Sequence, residues 1–351
     1  MALLPGDPVP NWIAPSDGNP RYSLQATGGR WLLLGVLGSA ASPEAAAALR
    51  DFAAGALPVL DAHQRAALLI SADAEDRAAA RVPQHIPHYR AIWDQTGAVT
   101  AALDGPGWLL LDPTQRLFAR WPLTETAAML ALLARLPPPA LHAGVAAPAP
   151  ALIVPRLFEP ELCRELIARY RAAGGEASGF MREVGGRTVG VHDPGFKVRR
   201  DHLIEDEQMQ ATLRARLSRR LVPEIQKAFQ FRVTRLERYL VACYRADEGG
   251  HFAAHRDNTT KGTAHRRFAV TINLNAEEFE GGDLTFPEFG RTAYRAPTGG
   301  AVVFSCSLLH QALPVTKGER FAFLPFLYDD AAAKIREENL KFLGAAPSAG
   351  G

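Results

Sequence analysis

Apolar residues recur in two different rhythms along the chain, and the change of rhythm divides it. In the first part they come as short unbroken runs. WLLLGVL (31–37) and AALLISAD (66–73) have the length of strands buried on both faces. Between them SPEAAAALRDFAAGALPVLDAH (42–63) predicts a helix, with Ser42 placed as N-cap and Pro43 as first helical residue. GWLLLDPTQRLFARW (107–121) predicts a hairpin about Asp112-Pro113-Thr114, and TETAAMLALLARL (124–136) an amphipathic helix. Strand, helix, strand, hairpin and helix in that order predict an α/β sandwich.

The stretch LPPPALHAGVAAPAPA (136–151) has no periodicity, and its prolines can continue neither a helix nor a central strand. Beyond it the second rhythm begins. EPELCRELIARYRAAGG (159–175) predicts a helix with Leu162, Leu166, Ile167 and Tyr170 on one stripe and Gly174 at its end. A second helix is expected over about 206–229. From Val233 the residues alternate with period two in LVACY, RFAVTINLN, DLTF, TAYRA, GAVVFS and RFAFLPFLY, punctuated by Gly pairs at 281–282 and 299–300. Many short strands closing on themselves predict a double-stranded β-helix, or jelly roll, with a final short helix in AAAKIREENLKFL. The expected organisation is an α/β domain over 1–136, a Pro/Ala-rich linker over 137–151, and an α+β domain over 152–343 with its barrel core at about 233–330.

Composition narrows the class without naming a chemistry. At 351 residues, 47% hydrophobic and 22% charged, the chain is an ordinary globular protein with room for two cores. A formal net charge of +2 gives no footprint for nucleic acid or an anionic membrane, and no obvious cluster of base-stacking aromatics appears. No apolar run reaches the roughly 20 residues of a membrane span, and MALLPGDPVPNW does not read as a signal peptide. Three scattered cysteines, Cys163, Cys243 and Cys306, suit a reducing cytoplasm. Residues 156–245 hold 18 Lys or Arg against 12 Asp or Glu. Solvated helix faces are the expected reading; a lid carrying Lys197, Arg199 and Arg200 that attracts an acidic substrate is the alternative.

The chemistry lies in GGHFAAHRDNTTKG. His255 and Asp257 are two apart, so at a strand end they leave the same face. His310 follows 53 positions after Asp257, straight behind an apolar strand. Two imidazoles and a carboxylate on one side of a metal leave the other side open, the facial arrangement of non-haem iron(II) oxygenases. Ten residues after His310, Arg320 stands on the next strand, where a guanidinium can grip a carboxylate with two prongs. An isolated HxD is commonly a solvated turn. Here it coincides with the distant His, the basic residue and all-β surroundings.

Residues 233–330 resemble the catalytic core of the prolyl 4-hydroxylase-type 2-oxoglutarate/Fe(II) dioxygenases, including the bacterial PKHD-type hydroxylases. The matching phrases are HFAAHRD, RFAVTINLNAEEFEGGDLTF, PTGGAVVFSCSLLHQALPV and TKGERFAF. The resemblance implies that His255, Asp257 and His310 bind Fe(II) and that Arg320 binds the distal carboxylate of 2-oxoglutarate. Asn273 stands where many relatives use a Tyr for that carboxylate, Phe252 where Tyr is common, and Tyr244 is a further pocket candidate. The implied reaction uses O2, with ascorbate as a further cofactor. It hydroxylates a C–H bond of a peptide or protein side chain, or of a small metabolite, and releases succinate and CO2. Retention of Asp257 argues against a halogenase. The alternative is a non-catalytic iron or 2-oxoglutarate sensor. His251, His265 and the His85/His88 pair are expected to be solvated, and the stretch holding His192 and His202 to be a loop-rich lid.

Residues 1–136 resemble a peroxiredoxin or thioredoxin-like domain in LLPGDPVPNW, YSLQATGGRWLLLGVL, ALLISADAED and WLLLDPTQRLFARW. Such a domain needs a thiolate at the N-terminus of its first core helix. Here that turn reads Gly38-Ser39-Ala40-Ala41-Ser42-Pro43, and no cysteine precedes Cys163. Thiol chemistry is excluded for this half, which leaves a homodimerising or substrate-presenting role.

Overall fold

The computed structural model describes residues 2–344 and consists of two compact units. The first comprises residues 2–149 with Phe286–Arg291, and the second residues 150–285 with 292–344.

The first unit is built on a seven-stranded sheet. Its order is Asn19–Ser23, Ile13–Ser16, Tyr89–Trp93, Arg65–Ser71, Trp31–Gly38, Gly107–Leu111 and Leu117–Trp121. The pairs of Arg65–Ser71 with Trp31–Gly38 and with Tyr89–Trp93 are parallel; the others are antiparallel. The unbroken apolar run 31–37 follows from burial on both faces. Leu33 and Leu37 pack with Phe52, Trp108 and Met129, while Leu32, Leu34 and Val36 pack with Ile70, Ile92 and Leu109. Ser42 caps the helix Pro43–Gly55 by accepting from the Ala45 amide, and the helix stops eight residues short of the predicted end. Three strands were not legible as such, Ile13–Ser16, Asn19–Ser23 and Tyr89–Trp93. Asn19–Ser23 contains Pro20, which an edge strand tolerates, and Tyr89–Trp93 follows directly on the His85–His88 turn.

In the second unit two antiparallel sheets face each other, a jelly-roll-like arrangement. The larger has nine strands and includes Phe268–Asn273, Glu319–Phe323, Leu240–Arg245, Ala301–Ser305 and Phe326–Tyr328. The smaller orders Lys197–Val198, His251–His255, His310–Ala312, Leu284–Thr285 and Ala293–Tyr294. Alternation gives the large sheet two unlike faces. Val241, Cys243, Ile272, Phe321 and Phe323 pack against Leu162, Leu166, Leu213, Leu217 and Ile225 of the helices. Ala242 and Tyr244 face the other way, toward Ala312 and Phe252 of the small sheet.

The predicted helix over 206–229 is two helices, Glu207–Arg220 and Val222–Phe229. Pro223 lies in the first turn of the second, where a missing N–H costs nothing. The stretch predicted to be loop-rich, 185–206, instead begins inside a hairpin, Phe180–Val184 against Arg187–Val191, turned by Gly185 and Gly186 at φ +57° and +77°. No helix among the described residues is long and apolar enough to cross a membrane.

All five tryptophans lie before residue 122, so tryptophan fluorescence reports on the first unit alone. A Cβ on Gly35 would meet the Trp108 ring at 2.5 Å and a Leu69 methyl at 2.9 Å. Gly35→Ala should therefore cost about 1–3 kcal/mol of that unit's stability by overpacking. Urea denaturation followed by fluorescence checks it, and an unmoved midpoint contradicts the packing described.

Candidate functional site

Three side chains meet between neighbouring strands of the small sheet. His255 ends the strand His251–His255, and His310 opens His310–Ala312 directly opposite it in register. Asp257 sits in the turn that follows His255, where its amide donates to the Cys306 carbonyl at 2.9 Å. The His255 Nε2 lies 3.5 Å from Asp257 Oδ1, and His310 Nε2 lies 3.4 Å from Oδ2. One ligand atom from each of the three falls within 4.8 Å of the others. Ligand bonds of about 2.1 Å place adjacent donors roughly 3–3.5 Å apart, so the spacing fits one ion.

The donor set fits as well as the spacing. His255 Nδ1 bonds the Ala253 carbonyl at 2.7 Å, and His310 Nδ1 bonds the Leu308 carbonyl at 3.0 Å. A carbonyl only accepts, so each Nδ1 carries the proton and each Nε2 turns its lone pair to the cluster. Burial, followed by the neighbouring His255, pushes His310 down to about 4, which keeps it a neutral donor at physiological pH. Burial alone would raise Asp257, but the His310 and His255 imidazoles outweigh it and hold the carboxyl well below its usual range. The Phe252 ring stacks on the His255 imidazole, with centroids 3.5 Å apart, and fixes its plane.

The inner face of the large sheet supplies the rest. Arg320 is only 3% exposed and makes no hydrogen bond or ion pair to any described residue. Its guanidinium carbon lies 5.0 Å from the centre of the Tyr244 ring, its direct cross-strand neighbour. Burial pulls it below its ordinary pKa, with Tyr244 and Asp283 opposing. A buried guanidinium without an anion is costly, and an incoming carboxylate removes the cost. Asn273 is buried on the same face, opposite Ala322. Its Nδ2 is committed to the Ala296 carbonyl at 2.7 Å, and the atom left without a partner is Oδ1. The group it leaves for a ligand is therefore an acceptor, not the donor that a carboxylate needs. Tyr244, buried between Arg320 and Arg199, carries the nearer donor.

Several charged residues expected in solvent are inside. His265 is buried, and its Nε2 bonds Glu237 at 2.7 Å. Arg266 grips the same carboxylate at 2.6 and 3.1 Å and donates to the Asp257 carbonyl at 3.4 Å, which ties the Asp257 turn to the large sheet. Lys197 and Arg199 are buried too, Arg199 in an ion pair with Asp201 at 2.6 Å, whereas Arg200 is partly exposed and pairs with Glu248. Lys197, Arg199 and Asp201 are spaced by two, the one signal that could have placed them on a single strand face. His251, His192, His202 and the His85/His88 pair stand apart from the cluster of three.

Residues 239–328 match the 2OG-Fe(II) oxygenase superfamily. A PKHD-type hydroxylase of Paracoccus denitrificans is 36% identical over 86 residues, 22% of this chain and 38% of that protein. One from Maricaulis maris is 36% identical over 90 residues, 25% of this chain and 40% of that protein. The chain thus spans about two fifths of the length of the curated relatives it matches. Among solved structures, the viral collagen prolyl hydroxylase of Paramecium Bursaria Chlorella virus-1 is 15% identical over 52% of this chain and 98% of its own, with a TM-score of 0.39. A prolyl-4-hydroxylase of Pseudomonas putida is 17% identical over 51% and 92%, with a TM-score of 0.36. The second unit of this chain carries, over residues 239–328, a domain of the 2OG-Fe(II) oxygenase superfamily.

Proposed function

We propose that this protein is a 2-oxoglutarate- and Fe(II)-dependent dioxygenase that hydroxylates a C–H bond of a peptide or protein side chain, or of a small metabolite. One observation carries the reading: two imidazole Nε2 lone pairs and one carboxylate converge on one point, and the inner face of the large sheet holds a buried guanidinium that pairs with no carboxylate of a described residue. In this reading His255, Asp257 and His310 hold Fe(II), and Arg320, helped by the Tyr244 hydroxyl, holds the distal carboxylate of 2-oxoglutarate. Bound Fe(II) supplies the activation of O2, with two electrons from 2-oxoglutarate, which leaves as succinate and CO2, and two from the substrate C–H bond.

The chain's own residues orient and confine. The Ala253 and Leu308 carbonyls fix the imidazole tautomers, and Phe252 fixes the plane of one ring. Arg266, anchored on Glu237, holds the backbone of the Asp257 turn. Phe196 packs edge-on against Phe252 at 5.6 Å and adds to the apolar wall beside His255.

For the first unit we propose a redoxin-like fold that lacks thiol chemistry and serves as an assembly or substrate-presenting module. The sheet order supports the fold, and the absence of any cysteine before Cys163 supports the loss of the chemistry. At the turn where such folds carry a thiolate, Ser39 donates to Asp73, and the buried Asp76 accepts from Ala40, Ser71 and Arg81.

Two substitutions test the assignment. Asp257→Ala should bring succinate formation from 2-oxoglutarate to background while circular dichroism stays that of the wild type; normal turnover would refute the triad. Arg320→Ala should raise the 2-oxoglutarate concentration for half-maximal turnover roughly 10- to 100-fold, the worth of a charge-assisted hydrogen bond pair. An unchanged requirement would assign the carboxylate to another residue. Metal binding with no succinate from any substrate panel would favour the sensor.

A further inference from the structure

Lys197 stands directly opposite Phe252, on the strand beside the one that carries His255. Its ammonium lies 4.9 Å from the centre of the Phe252 ring, and the other side of that ring's environment is the His255 imidazole, 3.5 Å away. The cation is thus one aromatic ring from a candidate metal ligand. Phe196 meets Phe252 at 5.6 Å and Phe180 at 4.5 Å, so an apolar wall extends outward from the same place.

The partners of Lys197 are both neutral. Nζ donates to the Ser178 hydroxyl at 2.7 Å and to the Gly179 carbonyl at 2.5 Å, and no carboxylate of a described residue pairs with it. An ammonium has three protons to donate, so one remains. The residue is only 7% exposed. The nearby carboxylate, Asp201, meets Arg199 and the Ser178 hydroxyl through Oδ2, while its Oδ1 is buried without a hydrogen-bond partner and forms no ion pair with Lys197.

Charge makes the same case at the scale of the whole inner face. Lys197, Arg199 and Arg320 are all buried, with Tyr244 between the two guanidinium groups. Asp201 offsets only one of the three. A further arginine, Arg238, adds to the positive field at Lys197, and Asp257 offsets part of it. Buried cations in excess of anions are costly until anions arrive. On the oxygenase reading, the distal carboxylate of 2-oxoglutarate neutralises Arg320, and Lys197 is left over.

We propose that Lys197 is a substrate-binding residue, and that the primary substrate presents a carboxylate to it from an apolar body packed on Phe180, Phe196 and Phe252. The inference rests on the oxygenase reading for its notion of a substrate, and not for the anion site itself. Burial and the neighbouring Arg199 push the Lys197 amine down to about 6, so an arriving carboxylate restores the ammonium by drawing a proton with it. A merely structural Lys197 would only pin the Ser178–Gly179 segment and would be indifferent to the charge of a ligand.

The test uses the full chain loaded anaerobically with Fe(II) and saturating 2-oxoglutarate, so that Arg320 is occupied. Benzoate is compared with benzamide, and a blocked Phe-Glu dipeptide with its Phe-Gln counterpart, by calorimetric titration. The carboxylate of at least one pair should bind 10-fold or more tighter than its amide, the scale of one charge-assisted hydrogen bond. Preference in the first pair alone assigns a free acid, and preference in the second assigns an acidic side chain. Lys197→Met should erase the preference, and Lys197→Arg should keep most of it. No preference in either pair, or a preference that survives Lys197→Met, overturns the proposal. Because the titration reads binding without turnover, a charge preference in protein that makes no succinate would sink the oxygenase reading and leave the anion site standing.

Discussion

Strands His251–His255 and His310–Ala312 pair antiparallel with His255 opposite His310, and the chemistry of the second unit depends on that register. Opposite residues of a pair share a face, so the two imidazoles meet without any loop having to bend them together. The backbone then finishes the work. The carbonyls two residues before each histidine accept the Nδ1 protons and leave both Nε2 atoms aimed at Asp257. A slip of one residue would send one imidazole to the opposite face of the sheet. Arg266 and Glu237 hold the turn that carries Asp257 from behind, through the Asp257 carbonyl, so the carboxylate does not hang from a free loop.

The second constraint is the division of the large sheet into a helix-facing side and an inner side. Phe321 and Phe323 go to the helices, which leaves Arg320 and Ala322 to the interior of the sandwich. The same alternation brings Tyr244 and Asn273 inward. An interior built this way is not an apolar core. It holds Lys197 and Arg320, which pair with no carboxylate of a described residue, whereas Arg199 and Arg266 are paired with Asp201 and Glu237.

Much of this was legible in the sequence because it depends on spacing. The HxD pair, the later His310 and the +10 Arg320 are positions along strands whose period is two, and strand period survives errors in element boundaries. What the sequence hid depends on pairing. Lys197 and Arg199 sit in a charged run that reads as solvated surface, and only the pairing of Lys197 with Phe252 and the packing of Arg199 on the Tyr244 ring put them inside. His265 and Glu237 are 28 residues apart and are joined by a contact that no local pattern announces. The hairpin over 180–191 was masked by polar residues and a Gly pair, and the break at Leu221 by two helices that share one apolar rhythm. Asn273 was found by resemblance, but its hydrogen-bonding direction needed the Ala296 carbonyl.

Anaerobic addition of Fe(II) and 2-oxoglutarate to the purified protein tests the central claim most directly, through the weak visible charge-transfer band of the metal chelate. The account predicts that the band forms in the wild type and is lost in His310→Ala. Demonstrable metal binding at the triad with no such band would contradict it.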